Sequence, residues 1–198
     1  MSNTVIYGFD KTGIAYCQGK IRNSWRGGIA VWGILEEKYL PPYIPEHIKA
    51  CKWYRPDMSF DEIISYNGYK PTRINSLMYE SALREIWALA EAPSISETDR
   101  IVLKTTFDGA VVRNADMHKV IEAFDAFDGN TSLKEQAAVL RKMQADDNCI
   151  AAGWSQTDMC SELWVTGYDE AAGEPVPYDL NKDKGHWYLF GEEGEIYA

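Results

Sequence analysis

The chain opens on an alternating apolar pattern and then changes period. Thr4 to Phe9 is rich in β-branched and aromatic residues, and Asp10-Lys11-Thr12-Gly13 separates it from Ile14 to Ile21. That pattern predicts a β-hairpin closed by a four-residue loop. Ser24 is a suitable helix cap, and Ile29, Trp32, Leu35 and Tyr39 recur at helical spacing up to Leu40. Pro41-Pro42 stops that helix, because proline has no amide hydrogen to donate. Residues 41–58 read as loop. Ser59-x-x-Glu62 is a capping box for a short helix over Phe60 to Tyr66, ended by Asn67-Gly68. Leu77 to Ala92 is a third helix, with Glu80 and Arg84 four apart and Pro93 beyond it.

Pro93 to Thr98 is the expected boundary between two halves, 1–95 and 96–198, which could also form one compact domain. The second half is expected to open on another hairpin. Ile101 to Phe107 and Ala110 to Arg113 flank Asp108-Gly109, a dipeptide favoured in two-residue turns. Asn114 caps a helix with Met117, Val120, Ile121, Phe124 and Phe127 on one face, ended by Gly129. Ser132-x-x-Glu135 is a second capping box, for a helix to about Ala145 with Leu133, Ala137 and Leu140 inward. Cys149 to Trp154, Leu163 to Tyr168 and His186 to Phe190 read as strands, and 169–184 as an exposed loop. Hairpins and helices without regular βαβ alternation predict an α+β fold, a small antiparallel sheet packed with four to five helices.

The composition is that of an ordinary globular protein, 45% hydrophobic and 25% charged over 198 residues. It excludes a collagen-like, coiled-coil or wholly disordered chain. No run of eighteen apolar residues occurs, so no membrane span is expected. Met1 to Asp10 lacks the basic and apolar regions of a secretory leader. The four cysteines, Cys17, Cys51, Cys149 and Cys160, form no Cys-x-x-Cys pair. Reduced thiols in a cytoplasm are therefore expected.

Charge changes the picture most. The net charge is −10, and residues 1–142 carry 18 basic and 18 acidic side chains. Residues 143–198 carry 12 acidic side chains against Lys182 and Lys184. Such a surface repels nucleic acid and anionic lipid and attracts basic partners. A plain solvated face has the same composition.

Candidate chemistry is sparse. Lys20, Arg22, Arg26 and Gly27-Gly28 surround the predicted start of the first helix, where free amide hydrogens could hold a phosphate. Their spacing is neither a phosphate loop nor a dinucleotide fingerprint. His47 and Cys51 are four apart, and Cys149 and Cys160 would have to join them for zinc, so no metal and no cofactor is expected. Ser155 or Cys160 with His47, His118 or His186 can be written as a triad, but nothing in the spacing favours it. Trp53-Tyr54 and Tyr43, with Tyr66 and Tyr69 nearby, would suit an interface anchor if exposed. Lys49, Lys52 and Arg55 beside them would suit nucleic acid, which the whole-chain charge opposes.

Thr105-Thr106-Phe107-Asp108 with its following helix, and Gly153-Trp154-Ser155-Gln156-Thr157, resemble small acidic accessory proteins of phages and mobile elements. The resemblance covers about half the chain and transfers no functional residue. It implies a class of small, acidic, cytoplasmic accessory proteins, some of which block host defence enzymes. The leading expectation is a non-enzymatic inhibitor, anti-CRISPR or antirestriction-like. It would hold a basic nucleic-acid-handling protein through Asp146, Asp147, Asp158, Glu162, Asp169, Glu170 and Glu174, with Trp53 and Tyr54 as anchors. One alternative is an enzyme or sensor for a phosphorylated or nucleotide ligand at Lys20–Gly28. Another is an immunity protein for a basic nuclease toxin.

Overall fold

A computed structural model describes residues 3–22, 25–77, 79–129, 131–156 and 164–191. It shows an α+β fold with eight α-helices among the described residues, a five-stranded mixed sheet and a separate two-stranded one. The contacts divide the chain into two compact units, residues 1–31 with 96–198, and residues 32–95. These are cut differently from the halves 1–95 and 96–198, because the first hairpin is part of the sheet completed by the later strands.

In the larger unit, β1 (Asn3–Phe9) pairs antiparallel with β2 (Ala15–Arg22) and with β4 (Ala151–Ser155). β4 pairs antiparallel with β3 (Ala110–Arg113), and β3 pairs parallel with β7 (Trp187–Tyr188). The sheet order is β2-β1-β4-β3-β7, so the long strand β2 lies at an edge. The first hairpin forms as expected. Asp10 closes it, its carboxylate accepting from the backbone N–H of Thr12 and Ile14 and from the Thr12 hydroxyl.

Side chains alternate between the faces of β1. Val5, Tyr7 and Phe9 point to one face and form a cluster with Val111, Ala151, Trp164 and Tyr178. Phe9, Trp164 and Tyr178 meet edge to face, with Phe9–Trp164 centroids 5.1 Å apart. Opposite to it, Trp154 meets Phe124 of α7 (Met117–Ala126) edge to face and donates its indole N–H to Gln136 of α8 (Leu133–Gln144) at 3.1 Å. Both faces are therefore covered, which explains why every residue of β4 is buried.

Several local expectations are corrected. Ile101–Phe107 is not a strand, because α6 runs over Glu97–Lys104. Ser96 caps it by accepting from the Asp99 N–H at 3.2 Å, and Ile101, Val102 and Leu103 are buried. The apolar run is short enough to fit either period, and the cap decides. Ser132 does not form its capping box: its hydroxyl takes the Gln136 side-chain amide instead. Asn114 heads a 3₁₀ turn, and its amide donates to Cys149 O rather than capping α7. Residues 169–184 are not all loop, since β5 (Val165–Asp169) and β6 (Glu174–Pro177) form a second hairpin, exposed along most of its length.

The first helix, α1 (Trp25–Tyr39), begins and ends as expected. In the smaller unit, residues 32–95 add α2 (Glu46–Lys49), α3 (Phe60–Asn67), α4 (Arg73–Ser76) and α5 (Tyr79–Ala88). The Ser59/Glu62 capping box is complete, and Gly68 ends α3 in the left-handed region at φ 79°. Ile48, Met58 and Ile63 form the buried cluster there. Arg73, on α4, is also buried. It donates from N and Nη1 to Glu36 Oε1, both at 3.0 Å, and from Nε to Glu85 Oε2 at 2.7 Å.

Candidate functional site

One acidic residue of the larger unit, Asp146, is tied directly to the edge strand β2. A β-bulge at Phe9/Gly8 makes two residues of β2, Tyr16 and Cys17, oppose one stretch of β1. The bulge turns the half-exposed Tyr16 toward the loop after α8. Its hydroxyl donates to Asp146 Oδ2 at 2.5 Å, and the Asn148 N–H donates to Asp146 Oδ1 at 2.9 Å. These two bonds hold the Asp146 carboxyl below the usual carboxylate range, the Tyr16 bond contributing most. Burial first, and then the Asp146 bond, push the Tyr16 phenol up.

A cavity of about 190 Å³ opens beside the same edge. Ala15 to Gln18 line one side, Val165, Pro175 and Pro177 the other, and Tyr7 and Trp164 the floor. Trp164 is fully buried, and its indole N–H has no hydrogen-bond partner among the described residues. A buried donor of that kind costs free energy until an acceptor arrives. Tyr16 thus links the two acidic segments, bonding Asp146 on one side and sharing the cavity wall with Pro175 on the other. Glu174 precedes Pro175 and pairs in register with Asp169 across the second hairpin.

Asp146, Asp147, Asp169, Glu170 and Glu174 are all exposed. None forms an ion pair with a cation among the described residues. Asp169 instead accepts from the Ala171 and Ala172 N–H groups within its own turn. Asp158 and Glu162 lie outside the described residues. Two other acids of the region are engaged locally: Asp179 pairs with Lys182 at 2.7 Å, and Asp183 accepts from the Asp179 N–H at 2.8 Å.

The remaining candidates fall elsewhere. Trp53 and Tyr54 belong to the smaller unit and are half-buried against its Ile48, Met58 and Ile63 cluster. Trp53 stacks on Tyr66 at 5.4 Å, so Tyr66, 62% exposed, is the aromatic that this stack presents to solvent. Lys20 is exposed on β2, and Gly28 lies inside α1 with open space around it. The side chains of Arg22 and Arg26, and the surroundings of Gly27, are outside the described set, as is the turn between β2 and α1. His47 Nε2 contacts the Tyr69 hydroxyl at 3.4 Å, and Cys51 Sγ donates to His47 O at 3.3 Å. Among the described residues no three His, Cys, Asp or Glu side chains converge as metal ligands.

Sequence reasoning missed one cluster altogether. A Cβ at Gly8 would lie 2.5 Å from Cys17 Sγ and 3.4 Å from Cys149 Sγ. Two thiols far apart in the chain therefore lie over one glycine, with Tyr16 Cε1 3.4 Å from the same point. The available signal was Gly8 itself, in the middle of an aromatic and β-branched run, where a glycine marks a close approach.

No family model, no curated protein and no solved structure matches this chain. The functional reading therefore rests on the site itself.

Proposed function

We propose that the chain is a non-enzymatic binding protein of phage or mobile-element type. Its acidic surface would occupy the basic, nucleic-acid-handling surface of a host defence protein. The observation that supports this reading is the set of five exposed carboxylates, Asp146, Asp147, Asp169, Glu170 and Glu174, with no cationic partner among the described residues. Asp146 and Asp169 also accept hydrogen bonds within the fold, but all five are exposed and none is neutralised by an ion pair among the described residues. A negative field of that kind speeds encounter with a cationic surface and rejects anionic ones. The cavity beside β2 supplies an apolar floor and one buried donor between the acidic segments, which is where residence time would come from.

The test is affinity capture from host cytoplasm followed by binding kinetics on the captured protein. Supporting results are a basic, nucleic-acid-binding partner whose association rate falls steeply with salt, and at least a tenfold loss in that rate when Asp146, Asp147, Glu170 and Glu174 are changed to lysine. A partner that binds equally well at low and high salt, or equally well to the charge-reversed variant, overturns the reading.

A further inference from the structure

We infer that Cys17 and Cys149 form a cross-linking site, two thiols placed to close a disulfide across strand β1 when a small-molecule disulfide acts as oxidant. The inference stands apart from the partner reading. Cys17 lies on β2, and Cys149 lies in the turn just before β4, its N–H bonded to Asp146 O at 2.9 Å. Gly8 on β1 runs between them, and both sulfurs crowd the space where its side chain would be. Any larger residue at position 8 would push into Cys17 Sγ, so the glycine is what lets the sulfurs approach. Closing the bond requires the Cys149 thiol to leave the Ala151 carbonyl that it bonds at 3.2 Å, and Tyr16 Cε1, 3.4 Å from the same point over Gly8, to move aside.

The two thiols have different access, which sets the order of events. Cys17 is half-exposed and Cys149 is 3% exposed. The Cys17 thiolate attacks one sulfur of oxidised glutathione and expels one glutathione thiolate. The Cys149 thiolate then attacks the Cys17 sulfur and expels the second. Two protein thiols lose two protons and two electrons, and one glutathione disulfide becomes two glutathiones. The second step is intramolecular, so proximity favours it over release of the mixed disulfide. Burial pushes the Cys149 thiol up, which makes this step faster at higher pH. Cys51 is a built-in control: it is half-buried in the other unit, with its thiol on His47 O.

The experiment treats the intact protein with oxidised glutathione, traps free thiols by alkylation, and maps peptides without reduction. A Cys17–Cys149 cross-link is expected, with resolution quickening as pH rises. In Cys149→Ser the Cys17–glutathione adduct should accumulate, and in Cys17→Ser neither cross-link nor adduct should reach position 149. The unaltered protein carries the decisive readout, so misfolding of a variant does not obscure it. A lasting glutathione adduct on Cys17 of the unaltered protein without the cross-link, or preferential linkage of either cysteine to Cys51 or Cys160, overturns the inference.

Discussion

Replacing Arg73 by methionine should unfold the smaller unit more readily than any nearby surface change. The guanidinium is 8% exposed and faces Glu36, also 8% exposed, at 3.0 Å. It donates to Pro41 O at 3.2 Å and lies 5.3 Å from the centre of the Tyr43 ring. One Glu36 oxygen, Oε2, has no hydrogen-bond partner among the described residues, so the carboxylate already depends on Arg73 for its compensation. Methionine keeps the packing volume and removes the charge, which leaves a buried carboxylate without its cation. Breaking a buried pair from one side costs about 3–5 kcal/mol. Glu85, the other partner, is 49% exposed, and Glu85→Gln should cost about 1 kcal/mol or less. The double variant Glu36→Gln/Arg73→Met removes both charges and should recover most of the loss. Urea titrations followed by tryptophan fluorescence would measure all four proteins. An Arg73→Met cost no larger than that of Glu85→Gln, or a double variant as unstable as the single one, would refute the argument that an orphaned charge is the cause.

Three further outcomes follow from local geometry. Ser59→Ala removes the hydroxyl arm of the capping box, the Glu62 N–H to Ser59 Oγ bond at 3.3 Å and the Ser59 Oγ to Glu62 Oε2 bond at 3.0 Å, while the backbone N–H of residue 59 still reaches Glu62, and it should cost about 1 kcal/mol in denaturant titration. Gly68→Ala and Gly109→Ala both force a side chain into the left-handed region, at φ 79° and 82°, for about 1–2 kcal/mol each. Gly109→Ala should cost clearly more, since its Cβ would lie 2.6 Å from Gly185 O whereas Gly68 has open space, and thermal melts of the two variants would rank them. Asp10→Asn should lower stability near neutral pH. The Thr12 hydroxyl, then the Ile14 and Thr12 N–H groups, hold the Asp10 carboxyl below its ordinary value of 3.8. A depressed folded pKa gives stability that is present above the unfolded value and lost as pH falls through the folded one. The gap between Asp10→Asn and the unaltered protein should therefore be constant near neutrality and close below about 3.8. A gap that persists in strong acid would show that the carboxylate is not its source.

By itself the sequence determined the elements whose cause is local. The first hairpin follows from β-branched alternation around Asp10–Gly13, α1 from helical spacing cut off by Pro41, and α3 from Ser59, Glu62 and Gly68. Each signal lies within a few residues of the structure it makes, so no partner elsewhere is needed. It also located the surplus of acid in the last part of the chain, because charge is a property of the residues alone. Where two local readings were both permitted, tertiary structure chose. Ile101–Phe107 could be strand or helix, and Ser96 together with burial of one face made it α6. Ser132 could cap, but its hydroxyl serves the Gln136 amide, and that side chain accepts from Trp154. Only the fold could join β1 to β4, leave β2 at the edge, bring Asp146 onto Tyr16, and set Cys17 and Cys149 over Gly8. Those pairings join residues more than a hundred positions apart. Nothing local encodes which distant strands will share a sheet, because that choice depends on burying both faces of β1 at once.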